Sequence, residues 1–147
     1  MKRITRFLFY TLLILLSLVA GYMVISYRHL DPDVVAKKNR LTRSLIAQGY
    51  RPRYIVLSGY RPPWLNQIMP LSARKSSHMK GQAIDLLIFD INGNYRFDNE
   101  DLKIVSNALD AIDRKHPEHR GGVGLYHNSF PRMVHFDVSG KHRHWDY

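Results

Sequence analysis

Twenty consecutive residues without a charge, Phe7 to Ser26, constrain this chain of 147 residues more than any other feature in it. A helix of that length rises about 30 Å, the thickness of a bilayer's hydrocarbon core, and a helix satisfies every backbone polar group within its own segment there. The run predicts a transmembrane anchor over residues 7–27, with residues 1–6 cytoplasmic and residues 28–147 forming one domain outside the bilayer. A cleaved signal peptide is the alternative, but its apolar region spans only about 7–15 residues and a small-x-small cleavage site does not follow here. Lys2, Arg3 and Arg6 precede the run, so the positive-inside preference places the domain outside the cytoplasm. Arg28, Lys37, Lys38 and Arg40 on the other side pull the other way.

The chain has no cysteine, which removes disulfides and thiolate ligands, so any metal must be held by His and carboxylate. The formal net charge is +10, and the part from residue 30 onward keeps eighteen Lys and Arg against twelve Asp and Glu. That balance favours an anionic neighbour. Nucleic acid is not expected, because the basic residues are scattered singly, without a helix-turn-helix pattern, zinc-finger spacing or aromatic RNA-binding block.

Ser76 to Asp85, S-S-H-M-K-G-Q-A-I-D, places His78 and Asp85 seven residues apart around Gly81. The run Ala83 to Phe89 that follows reads as a buried strand with Asp85 inside it, and an ionised carboxylate there needs a cation or a metal. A surface His beside an Asp that hydrogen-bonds the turn is the plainer reading. In Arg132 to Val138, R-M-V-H-F-D-V, strand alternation puts His135 and Asp137 on one face and Val134, Phe136 and Val138 on the other. His78, Asp85 and His135 together form a three-ligand set suited to a catalytic zinc with a fourth position open.

At these residues the sequence resembles the zinc D-alanyl-D-alanine carboxypeptidases and murein endopeptidases, whose fold is shared with Hedgehog and lysostaphin-type domains. Four blocks carry the resemblance: S-G-Y-R at Ser58 to Arg61, the ten residues Ser76 to Asp85, G-G-V-G-L-Y at Gly121 to Tyr126, and V-H-F-D-V followed by R-H-W ending at Trp145. The resemblance implies Zn2+ on His78, Asp85 and His135, Arg61 near the substrate, and a peptidoglycan peptide as that substrate. It implies a single-pass protein of the cell inner membrane with the peptidase domain on the periplasmic or extracytoplasmic side. Many relatives carry a Glu base three residues before the last His ligand, where this chain has Arg132. Asp137, facing the same side as His135, is therefore the expected general base, with orientation of a ligand His or a purely structural ion pair as its other readings. A non-catalytic cell-wall or metal-binding module that keeps the fold is the alternative function. A basic, membrane-tethered scaffold that needs no metal is a third.

The rest of the chain supplies supports. Asp31 caps, and Pro32 opens, a helix with Val34, Val35, Leu41, Leu45 and Ile46 on one face, ended by Gly49. Tyr54 to Leu57 reads as a strand delivering Arg61, whose guanidinium suits a two-bond grip on a peptide carboxylate. A loop-bracing contact is the other reading of Arg61. Trp64 to Arg74 reads as an irregular loop. Asp90 to Asp101 has calcium-loop offsets, but Tyr95 stands where the turn wants Gly and Asp101 where a bidentate Glu belongs, so Asp98 capping a second helix is preferred. Tyr126 and Trp145 suit the lining of a cleft or the packing of a core, Tyr126 also as a donor to a developing oxyanion. His116, His119, His127, His142 and His144 read mostly as exposed basic-loop residues. The element order predicts an α+β domain with a small, mainly antiparallel sheet and flanking helices, preceded by one transmembrane helix.

Overall fold

A computed structural model of the protein describes residues 2–69, 72–129 and 132–146. The fold is α+β as expected. Five strands, β1 (Tyr54–Ser58), β2 (Ala83–Ile88), β3 (Gly122–Tyr126), β4 (Met133–Asp137) and β5 (Arg143–Asp146), lie in the order β1-β2-β4-β3-β5. Every neighbouring pair is antiparallel except β3 and β5.

Alternation along the strands gives the sheet two chemically distinct faces. Ile84, Leu86, Val123, Val134 and Phe136 form the buried face and pack with two helices, α2 (Pro32–Ala47) and α4 (Asn99–Lys115), which contribute Val34, Leu41, Leu45, Leu102, Val105 and Leu109. Each such side chain removed from water contributes about 1.5–3 kcal/mol, so this face anchors the domain. Asp85, His135 and Asp137 sit on the opposite face, because a period of two sends them away from the helices.

Both core helices start as their sequences predict. Asp31 accepts from Asp33 N–H with Pro32 as the first helical residue, and Asp98 and Asp101 form a reciprocal capping box at α4. Asp101 also accepts the Ile91 and Asn92 N–H groups, and Asp90 accepts those of Gly93 and Tyr95. The acidic loop thus spends its carboxylates on its own backbone, which is the capping arrangement. Ile46, assigned to the apolar face of α2, is exposed, while Lys37 on the same helix is fully buried.

Two elements depart from expectation. The stretch read as a loop from Trp64 contains a short helix, α3 (Pro63–Ile68), with Pro63 at its start, where a missing N–H costs nothing; Pro70 and Leu71 of that stretch lie outside the described residues. Strand β5 forms where no strand was read, since R-H-W-D lacks apolar alternation and pairs only at the sheet edge.

The apolar run forms one helix, α1 (Lys2–Arg28), long and apolar enough to cross a membrane. Its last turn docks on the domain: Ser26 Oγ donates to Tyr60 O at 2.9 Å and accepts from Gly59 N at 3.2 Å. Just beyond, Asp31 N donates to Gly81 O at 3.0 Å. Gly81 has φ of 69°, and a Cβ there would stand 2.1 Å from His29 O, so both its conformation and its closeness demand glycine.

Candidate metal centre

Three separate pieces of backbone converge on the open face of the sheet. Ser76 caps a single 3-10 turn, Ser77–Lys80, that presents His78; β2 carries Asp85; and β4 places His135 directly opposite Asp85 in register. His78 Nε2 lies 3.2 Å from Asp85 Oδ1 and 3.2 Å from His135 Nδ1, and His135 Nδ1 lies 2.8 Å from Asp85 Oδ1. Ligands about 2.0–2.1 Å from a tetrahedral zinc are separated from one another by about 3.3 Å, so this trio has the spread the ion requires.

The outward-facing nitrogens fit the same reading. His78 Nδ1 is 2.6 Å from Gly59 O, a group that only accepts, so the proton sits on Nδ1 and the Nε2 lone pair faces the cluster. His135 Nε2 points instead at Asp137 Oδ2, 3.7 Å away, an ion-pair rather than a hydrogen-bond separation, leaving Nδ1 for the cluster. A donor set of two imidazoles and a carboxylate, each imidazole oriented from behind, matches zinc in ligand type and in support.

The electrostatics of the cluster follow from its burial. Burial alone would depress the His135 imidazole, but the carboxylates of Asp137 and Asp85 outweigh it and push it up to about 9. Burial would likewise raise Asp85, yet His135 and His78 hold it well below the usual carboxylate range. Asp137 is held low as well: burial opposes, but His135 and the N–H groups of Gly122 and Ser139, each 2.9 Å from Oδ1, prevail.

Asp137 therefore lies behind the His135 ring, buried, with its oxygens turned to backbone donors and to the far nitrogen of that imidazole. The sequence placed it on the correct face; the ring between it and the cluster depends on a side-chain rotamer that strand alternation does not specify. Arg61 reaches the cluster: its guanidinium is 3.5 Å from Asp85 Oδ2 and donates to Asn66, Ser72 and Ser58. Arg132, at the position where many relatives carry a Glu, turns away to Asn99 Oδ1 at 3.0 Å and to Phe97 O.

Tyr126 ends β3 on the His135 side of the sheet, half-buried. Trp145 lies across β3, where a Cβ on Gly124 would come within 2.3 Å of its Nε1, and its ring centroid is 5.2 Å from that of His135. Glycine at 124 thus makes room for the indole, a dependence between two blocks of the sequence that spacing alone did not reveal.

One supporting residue was invisible in the sequence. Lys37 Nζ forms an ion pair with Asp113 Oδ1 at 2.6 Å and donates to Asp137 O at 3.0 Å, tying α2 and α4 to the end of β4. A lone Lys on a helix reads as solvated, and its partners lie 76 and 100 positions away.

The family model described as peptidoglycan L,D-endopeptidase MepK matches residues 14–145, nearly the whole chain. The chain belongs to this family. It is a member of the peptidoglycan-cleaving peptidases, for which zinc dependence is typical. Among solved structures, the Serratia marcescens L-Ala D-Glu endopeptidase ChiX aligns with a TM-score of 0.49 and 16% identity, over 80% of this chain and 86% of that one. The search of curated proteins gave no match.

Proposed function

We propose that this peptidoglycan peptidase is a zinc L,D-endopeptidase, cutting a peptide bond between an L- and a D-configured residue, with zinc on His78 Nε2, Asp85 and His135 Nδ1. The convergence of those three ligand atoms, with both imidazoles oriented from behind, carries the reading. The L,D preference rests on the family match. Zinc supplies Lewis-acid polarisation of the scissile carbonyl and activation of a water.

The chain's own residues divide the remaining work. Gly59 O and Asp137 fix the ring orientations of His78 and His135, so each presents one lone pair to the same point. Asp137 is a positioning residue in this reading rather than the general base, because the His135 ring separates its carboxylate from the cluster. Arg61, with planar donors beside Asp85, orients a substrate carboxylate or carbonyl. Tyr126 and Trp145 line the approach on the same face. Helix α1 serves as the membrane anchor with the domain on the extracytoplasmic side, where peptidoglycan is found.

The test is digestion by the full chain in detergent of muropeptides whose cross-links run through either L,D or D,D bonds. Cleavage of the L,D set, lost with a chelator and regained with zinc, is the expected outcome. Equal cleavage of both sets would reject the bond preference, and activity that survives exhaustive chelation would reject the zinc assignment.

A further inference from the structure

A second group of metal-type ligands lies on the helix side of the sheet edge, on the face opposite the cluster just described. Strand β5 carries His144, with His142 two residues earlier, so both project on the side opposite Trp145, towards α4. There His142 Nε2 is 3.2 Å from His144 Nε2, and His144 Nε2 is 3.0 Å from Asp110 Oδ1. One ligand atom from each of the three residues lies within 4.8 Å of the others.

Three observations distinguish this group from a chance meeting of surface side chains. Asp110 Oδ1 is buried and, although 3.0 Å from an imidazole nitrogen, is off the line needed for a hydrogen bond; it makes none among the described residues. The two imidazole Nε2 atoms are within hydrogen-bond distance of each other at 3.2 Å, and with the 3.0 Å to Asp110 Oδ1 these spacings are close to the roughly 3.3 Å that separates neighbouring ligands around an ion. Next, His142 Nδ1 lies 3.3 Å from Asp113 Oδ2, so a carboxylate behind the ring directs its Nε2 into the group. Finally, Asp113 is itself fixed, by buried Lys37 and by Gly121 N–H at 3.2 Å.

We propose that Asp110, His142 and His144 form a second metal site, independent of the first, that takes a borderline divalent ion such as zinc, cobalt or nickel. Two imidazoles and one carboxylate suit those ions, whereas calcium and magnesium prefer all-oxygen cages. The ion would join α4 to β5, an edge strand whose only sheet partner among the described residues is β3. Through β5 it holds Trp145 across Gly124 beside His135.

Cobalt(II) tests the site, since its visible absorption reports nitrogen and oxygen ligation. In the untagged full chain carrying His78→Ala, which disables the first cluster, cobalt should saturate at one equivalent and raise the thermal midpoint. Adding His144→Ala should abolish both effects, and Asp110→Asn should weaken binding by tenfold or more. Wild type should hold two equivalents and His144→Ala alone only one, a comparison that stands even if His78→Ala folds poorly. Both histidines are exposed, so their removal leaves the core intact, as circular dichroism will check. Identical cobalt binding with and without His144 in both backgrounds would overturn the proposal. Failure of the first cluster would appear differently, as one equivalent in wild type that His144→Ala removes.

Discussion

Asp137→Asn separates the two roles that a carboxylate two residues after a strand ligand can play. The carboxylate accepts Gly122 N–H and Ser139 N–H on Oδ1 and offers Oδ2 to His135 Nε2. The amide keeps one acceptor for the two backbone donors, and its NH2 then faces the Nε2–H of His135, donor against donor. His135 loses its orienting anion while the fold keeps its shape. Outer carboxylates of this kind are worth about 10- to 100-fold in metal affinity. At 3.7 Å the contact is long, so the lower end, about tenfold or 1.4 kcal/mol, is expected. Zinc affinity is measured by competition with a chromophoric chelator and turnover on L,D cross-linked muropeptides at saturating zinc. Orientation predicts weakened zinc and turnover that recovers substantially once zinc is saturating. Unchanged zinc affinity with turnover down by about 10² to 10⁴ would refute the reasoning and make Asp137 the base.

The first cluster should also show a proton signature. Metal-free His135 holds its proton up to about pH 9, whereas a metal needs its lone pair, so zinc binding at pH 7 should expel about one proton and weaken about tenfold per pH unit below 9. Calorimetry of the His144→Ala variant in buffers of different ionisation enthalpy measures this; zero proton release would contradict it. In the metal-free protein the same raised value contributes stability that is full below the unfolded value near 6.5 and is lost as pH climbs through about 9. Lys37→Met should cost about 3–5 kcal/mol in chemical denaturation by stranding the Asp113 carboxylate, and Lys37→Met with Asp113→Leu should cost less than the single change. Wild-type stability of Lys37→Met would show that the pair carries no such weight.

What could be read from the sequence was whatever is encoded locally. His78 and Asp85 announce themselves because one turn and one strand fix their separation, and His135 because alternation fixes its face. Caps at Asp31 and Asp98 are equally local, since donor and acceptor lie within three residues. The pairing of Lys37 with Asp113, the indole of Trp145 over Gly124, and the gathering of His142, His144 and Asp110 depend on contacts between distant segments that no period or spacing encodes. The position of Asp137 behind its histidine is decided by a side-chain torsion, to which strand periodicity is blind. Strand β5 was missed because an edge strand buries little and so needs no apolar pattern.

The docking of α1 bears on where the enzyme can act. Ser26 holds Gly59 N–H, and Gly59 O holds the ring of His78, so one residue separates the end of the proposed anchor from the orientation of that imidazole. Such a joint is a stalk rather than a tether. If α1 spans the bilayer as proposed, the face that carries the His78, Asp85 and His135 cluster would not roam on a flexible leash through the depth of the wall, and its height above the membrane would be set by this joint. Strands of the wall would then have to come within that fixed reach to be cut, so that thickness and slack of the polymer, and not only its chemistry, would determine which bonds are opened.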